Sequence, residues 1–215
     1  MEHTLPILNT LDDTNVQVRP HPTYKVGIRR KTRQVNVGGV LVGGGAPISV
    51  QTMTKTKTSD ITATVAQILQ AADAGCDIVR VTVNDKEAAD AIAEIVKQSP
   101  IPVVADIHFN HIFALKAIEA NVAKVRINPG NIGSRDRIGQ VLTAAKQKNI
   151  PIRIGVNSGS LEEDILEKHG YPTPEALFES AMRHVGICDD FHVQDVIVSV
   201  KSTDVKLMID TFAQN

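Results

Sequence analysis

Four cations recur in four strand-like stretches: Arg80 in DIVRVTV (77–83), Arg126 in AKVRINP (123–129), Arg153 in PIRIGVN (151–157) and Lys201 in DVIVSVKS (195–202). Guanidinium and ammonium groups gathered in one place hold polyanions, because charge-assisted hydrogen bonds to phosphate oxygens are stronger than neutral ones. Hydrogen-bonding side chains keep the same spacing: Asp106 and His108 in PVVADIHF (102–109), Asn128 two residues after Arg126, and Asn157 four after Arg153. Asp106 and His108 are the candidates for orienting a substrate hydroxyl or shuttling a proton, the alternative for Asp106 being a counter-ion to a neighbouring arginine. After Asn128 the chain turns at Pro129-Gly130, leaving Asn131 and Gly133 in a loop whose N–H groups suit a phosphate. Gly155 permits a close approach between Arg153 and Asn157, and Ser202 and Thr203 add hydroxyls beyond Lys201. There is no Ser-His-Asp order, H-E-x-x-H motif or pair of lumen carboxylates, so the pattern speaks of binding more than of an evident catalytic engine.

These residues converge only if the strands share one alternation. Side chains point to opposite faces along a strand. One face of the six strand-like segments, ISVQTMT (48–54) included, is almost wholly apolar: Val79/Val81/Val83, Val103/Ala105/Ile107, Ile152/Ile154/Val156 and their equivalents. The other carries Gln51/Met53, Arg80/Thr82, Asp106/His108, Lys124/Arg126/Asn128, Arg153/Asn157 and Ser199/Lys201, with the polar members towards the C-terminal ends. Helical periodicity fills the intervals at 61–75, 86–99, 112–120 and 137–149. The expected fold is therefore α/β, a TIM (β/α)8-type barrel of which about six βα units are present. Its helices pack on the apolar face, and its site lies at the C-terminal strand ends. A doubly wound open sheet fits less well, since its strands should be apolar on both faces.

A β-hairpin around Gly38-Gly39, within 26–47, precedes the barrel and is expected to plug its N-terminal mouth. Residues 1–24 read as a flexible arm and 25–215 as an incomplete barrel domain. The basic cluster Arg29, Arg30, Lys31 and Arg33 reads as a solvated strand lead-in. A closed barrel of this type has eight strands, so the first and last strands here are expected to be open edges. The chain thus reads as a fragment, a natural truncation or a part that needs a partner. The long connection 158–194 holds helical stretches at 161–169 and 174–185. The first, preceded by Ser158-Gly159-Ser160, is expected as a lid or a phosphate-facing helix start.

The 215 residues carry a net charge of −1, which argues against a general nucleic-acid or membrane-surface binder. No run approaches the ~18 apolar residues of a membrane span, the N-terminus lacks the features of a secretion signal, and a cytoplasmic location is expected. An aromatic content of 3% disfavours base-stacking platforms. Cys76 and Cys188 have no Cys or His at metal-ligand spacing and read as buried free thiols, with no metal site in this chain. His111, His169, His184 and His192 read as surface or loop residues.

The segments VNVGGVLVGGGAPISVQTMTKTKTSD, ADIHF, KVRINPGNIG, RIGVNSGSLE and SVKSTD resemble, in the same order, the N-terminal barrel of the 4-hydroxy-3-methylbut-2-en-1-yl diphosphate synthase family of non-mevalonate isoprenoid (terpenoid) biosynthesis. The likeness covers roughly residues 25–215. It implies an oxidoreductase that, as a complete protein, opens the ring of 2-C-methyl-D-erythritol 2,4-cyclodiphosphate reductively with two electrons and loss of water. The donor would be reduced ferredoxin or flavodoxin, and the complete enzyme a homodimer. It implies that Arg80, Arg126, Arg153 and Lys201 hold the diphosphate, and that Asp106, His108, Asn128 and Asn157 contact the polyol or phosphate oxygens. The family's [4Fe-4S] cluster sits on three Cys and one Glu of a C-terminal domain that this chain lacks, so neither Cys76 nor Cys188 carries over, and the chain alone is expected to be inactive. The alternatives are a pterin-binding transferase barrel like dihydropteroate synthase, or an inert diphosphate-binding module.

Overall fold

A computed structural model describes residues 31–127 and 133–214. The arm assigned to 1–24 and the residues Arg29, Arg30, Asn128 and Asn131 lie outside the described residues. The chain begins with a hairpin of β1 (Val35–Val37) and β2 (Val40–Val42), in which Val37 faces Val40 across the two-residue turn Gly38-Gly39. Both glycines have positive φ, 59° and 100°, as a turn matched to strand twist requires. The Asn36 side chain accepts a hydrogen bond from Gly39 N–H at 2.7 Å.

Strand and helix then alternate: β3 (Gln51–Met53), α1 (Ile61–Asp73), β4 (Ile78–Val83), α2 (Lys86–Gln98), β5 (Val103–Ile107), α3 (His111–Glu119), β6 (Lys124–Ile127), α4 (Arg135–Gln147), β7 (Ile152–Asn157), a single 3-10 turn, α5 (Glu163–His169), α6 (Pro174–Asp190), β8 (Val196–Lys201) and α7 (Val205–Ala213). The six strands β3 to β8 form one parallel sheet in sequential order, the curled half of a βα-barrel. Helices start where capping side chains satisfy their free N–H groups: Asp60, Asp85, Asn110, Thr173 and Asp204 each accept one from the first turn.

The predicted alternation holds. Val79, Val81, Val83, Val103, Ala105, Ile107, Val125, Ile152 and Ile154 are buried against Ile68, Ile92, Ile95, Ile118, Leu142 and Leu177 from the helices. On the other face, Val35 and Val37 pack on Ile78 and Val104, with Ala123 and Ile197 alongside. The hairpin therefore closes the N-terminal end of the lumen with valines. Gly38 is required twice over, since besides its positive φ a Cβ there would lie 2.8 Å from that of Ala123.

The first strand departs from expectation. Of 48–54 only Gln51–Met53 is β structure, and Ile48 and Val50 are 80% and 57% exposed. The cause is the edge: among the described residues β3 pairs with β4 alone and β8 with β7 alone, and Val198 is also exposed. The segment after the 3-10 turn differs too. Glu162, Glu163 and Asp164 open α5 with carboxylates, which match the helix dipole themselves and make its N-terminus electrostatically unfavourable for a phosphate. Arg183 holds Asp164 through two hydrogen bonds of 2.9 and 2.7 Å, tying α5 to α6.

Candidate anion site in the half-barrel lumen

Register assembles the site. Lateral pairing of β5 to β7 sets Asp106 beside Arg126 and Arg126 beside Arg153, while the row below runs from Met53 through Arg80 and Val104 to Lys124. Arg153 and Lys124 stand near the N-terminal ends of their strands, against the expectation of clustering at C-terminal ends. Successive strands of a tilted barrel are staggered, so one layer of the lumen is met late in β5 and early in β7.

Asp106 is the centre of this layer, 2% exposed. Its Oδ1 accepts from Arg126 Nη1 at 2.9 Å, and its Oδ2 lies 3.5 Å from Arg80 Nε. Arg80 also leans on Met53 Sδ at 3.2 to 3.3 Å. Arg126 reaches across β7 to the Gly155 carbonyl at 3.3 Å, a path open only because residue 155 is glycine: a Cβ there would lie 2.5 Å from Arg126 Nε. Arg153 Nε donates to Ser199 Oγ at 3.0 Å. Burial, and then the charges of Arg80 and Arg126, lower the pKa of Arg153, with Asp106 opposing.

Lys124 belongs to the same cluster. Only 3% exposed, it has its pKa lowered from 10.5 to about 8 by burial and by the charges of Arg153 and Arg80. It was visible in the sequence as a lumen-face residue next to Arg126, but its burial was not. Among the described residues these two rows thus set Arg80, Lys124, Arg126 and Arg153 against one carboxylate. An excess of desolvated positive charge needs an anion.

Other residues stand apart. Asn157 and Lys201 face each other at the ends of β7 and β8, four residues beyond the Arg153–Ile197 pair and thus roughly 13 Å further along the strands. Lys201 is exposed. His108, just past β5, is half-buried, and its Nδ1 has no partner among the described residues. His184, expected at the surface, is instead 5% exposed: its Nε2 and Ser180 Oγ meet Glu162 at 2.8 and 2.7 Å, since Glu162 is held against α6. His169 pairs with Glu179 at 2.8 Å.

No group of three or more His, Cys, Asp or Glu among the described residues is arranged to hold a metal. Cys76 and Cys188 are buried free thiols, and burial, with Asp189 nearby, pushes Cys188 up to about 12. A protonated, desolvated thiol does not fit a cluster that needs thiolates.

Fold and site together define a βα-barrel with a cationic lumen. A family model described as the GcpE TIM-barrel domain matches residues 32–215, and the chain belongs to that family. It is 55% identical over 184 residues to the proteins of Bacillus cereus (strain B4264) and Bacillus licheniformis named "4-hydroxy-3-methylbut-2-en-1-yl diphosphate synthase (flavodoxin)", covering 86% of this chain and 50% of each of those. The chain spans about half the length of the curated relatives it matches. Among solved structures, Yersinia pestis dihydropteroate synthase superposes with a TM-score of 0.52 at 11% identity, over 77% of this chain and 61% of that one. That likeness shows the barrel fold alone.

Proposed function

We propose that this chain is the substrate-binding barrel of a 4-hydroxy-3-methylbut-2-en-1-yl diphosphate synthase, and that its lumen holds the diphosphate of 2-C-methyl-D-erythritol 2,4-cyclodiphosphate. The observation that carries the reading is the excess of Arg80, Lys124, Arg126 and Arg153 over Asp106 in two adjoining rows of the lumen, with Lys124, Arg126 and Asp106 buried and Arg80 and Arg153 half-buried, in a chain of the GcpE family. Arg126 and Arg153 donate to phosphate oxygens. Asp106, with both oxygens engaged, positions Arg126 and Arg80. His108, Asn157 and Lys201 meet the polyol or the second phosphate nearer the mouth, Asn128 is assigned to the same ligand without a stated position, and the His108 Nδ1, unpartnered among the described residues, suits a hydroxyl.

The complete enzyme, in this reading, performs a two-electron reductive ring opening with loss of water, draws electrons from reduced flavodoxin or ferredoxin, and works as a cytoplasmic homodimer. Among the described residues no helix is long and apolar enough to cross a membrane. The [4Fe-4S] cluster is assigned to the part of the relatives' length that this chain does not match. Residues 25–215 form the barrel portion and 1–24 an arm. Binding and orientation are what these side chains supply, and this chain alone is assigned no turnover. A pterin-binding transferase shares only the fold.

Calorimetry with the cyclodiphosphate tests the pocket. Arg153→Ala and Lys201→Ala should each lose about one to two decades of affinity, since charge-assisted contacts are worth ~1.5–3 kcal/mol. Lys86→Ala, on an exposed helix face, should lose none. Equal affinities in all three variants would dismiss the assignment.

A further inference from the structure

Lys124 differs from the three arginines of the lumen in having no partner among the described residues, and from the exposed Lys201 at the rim in being buried. Its neighbour Arg126 has Asp106 and the Gly155 carbonyl, Arg80 has Asp106 and Met53, and Arg153 has Ser199. Lys124 makes no hydrogen bond or ion pair among the described residues, although it is 3% exposed. The charged groups that face it are Arg80 from β4, Asp106 from β5, Arg126 on its own strand and Arg153 from β7. The hairpin packed on the adjoining lumen residues adds only valines. Asp106 is already shared between two guanidinium groups.

We propose that Lys124 is a proton-coupled floor to the pocket: partly neutral while the lumen is free of anion, its Nζ takes up a proton from solvent when a polyanion enters. The inference rests on the anion-pocket reading and adds a regulatory property to it. Arginine stays protonated across the accessible pH range, so the three guanidinium groups supply a constant charge. Lysine is the one type of cation in the cluster that can surrender its charge when buried and regain it when an opposite charge arrives. The consequence is linkage: proton and anion bind with mutual reinforcement, and anion affinity falls as pH rises through the range in which the free pocket loses the Lys124 proton.

The lysine Cε resonances of the 13C-lysine-labelled chain report the protonation directly, with the Lys124 signal assigned by its disappearance in Lys124→Met. Sulfate is the probe, since it keeps its two negative charges throughout, and sodium chloride at equal ionic strength is the control. The expected result is a Lys124 titration midpoint near 8 without sulfate that rises by at least one unit at saturating sulfate but not in chloride. Sulfate affinity of the parent should then fall about fivefold or more between about pH 7 and pH 9.5, while that of Lys124→Met stays level. A free midpoint near that of an exposed lysine, or a midpoint that sulfate leaves in place, would overturn the coupling and leave the pocket standing. If sulfate and pyrophosphate both fail to bind, the pocket falls with it. Should Lys124→Met not fold, the Lys124 midpoint can still be read in the parent, with the signal assigned through Lys124→Arg.

Discussion

Replacing Asp106 with asparagine removes the one negative charge among four cations at almost constant volume. The carboxylate lies 2.9 Å from Arg126 Nη1 and 3.5 Å from Arg80 Nε, and is 2% exposed. At an effective dielectric constant of about 20, each of these attractions is gross about 5 kcal/mol. Most of that is offset in the parent by the cost of drying the carboxylate, so the pair is not a large net stabiliser. The variant loses the attraction but keeps the buried Arg126 guanidinium and the half-buried Arg80, and breaking a buried pair from one side costs about 3–5 kcal/mol. The introduced amide oxygen can still accept from Arg126, which returns about 1 kcal/mol. A net loss of about 3 kcal/mol is expected for Asp106→Asn, and it should lower the urea midpoint by about 1 M or more, followed by far-UV circular dichroism in low-salt buffer without polyanions. The paired control is Asp90→Asn, whose carboxylate meets Lys86 and Lys116 on the exposed helix surface and whose midpoint should match the parent. Pyrophosphate should then narrow the gap between Asp106→Asn and the parent, because the ligand supplies negative charge where the variant lacks it and so binds the variant more tightly, each tenfold in Kd closing the gap by about 1.4 kcal/mol at saturating ligand. The reasoning is refuted if Asp106→Asn melts with Asp90→Asn, or if pyrophosphate widens the gap.

Gly155→Ala should push the Arg126 guanidinium off β7, because the new methyl would lie 2.5 Å from Nε; a stability loss of about 1–3 kcal/mol and at least tenfold weaker pyrophosphate binding are expected, and calorimetry giving parental affinity would show that Arg126 does not need that path. Lys124 makes stability depend on pH. Its folded pKa, about 8, lies below the unfolded 10.5, so the unfolded chain binds more protons between these values and stability rises with pH, by about 1.4 kcal/mol by pH 9. Cys188, raised to about 12 from 9.0, acts in the opposite sense above about pH 9. Urea midpoints of the parent should therefore climb from pH 7 to 9 relative to those of Lys124→Met, and parallel profiles would contradict the buried ammonium.

The alternation of apolar and polar side chains in 77–83, 102–109, 123–129 and 151–157 is enough by itself to assign each residue a face, because a two-residue period is a local property of the strand. It puts Arg80, Asp106, Arg126 and Arg153 in the lumen, and the six-stranded parallel sheet carries them there. Gly38-Gly39 likewise announces its hairpin, since few residues adopt positive φ twice in succession. Height along the lumen is a different matter. Register between strands separated by 20 or more residues is set by the packing of whole βα units, so only the folded chain could bring Arg153, early in β7, level with Asp106, late in β5, and leave Lys201 at the rim. Burial of Lys124, the sharing of Asp106 by two arginines, and the retreat of His184 onto Glu162 were decided the same way. Each depends on what stands opposite in space, and a local pattern contains no record of that.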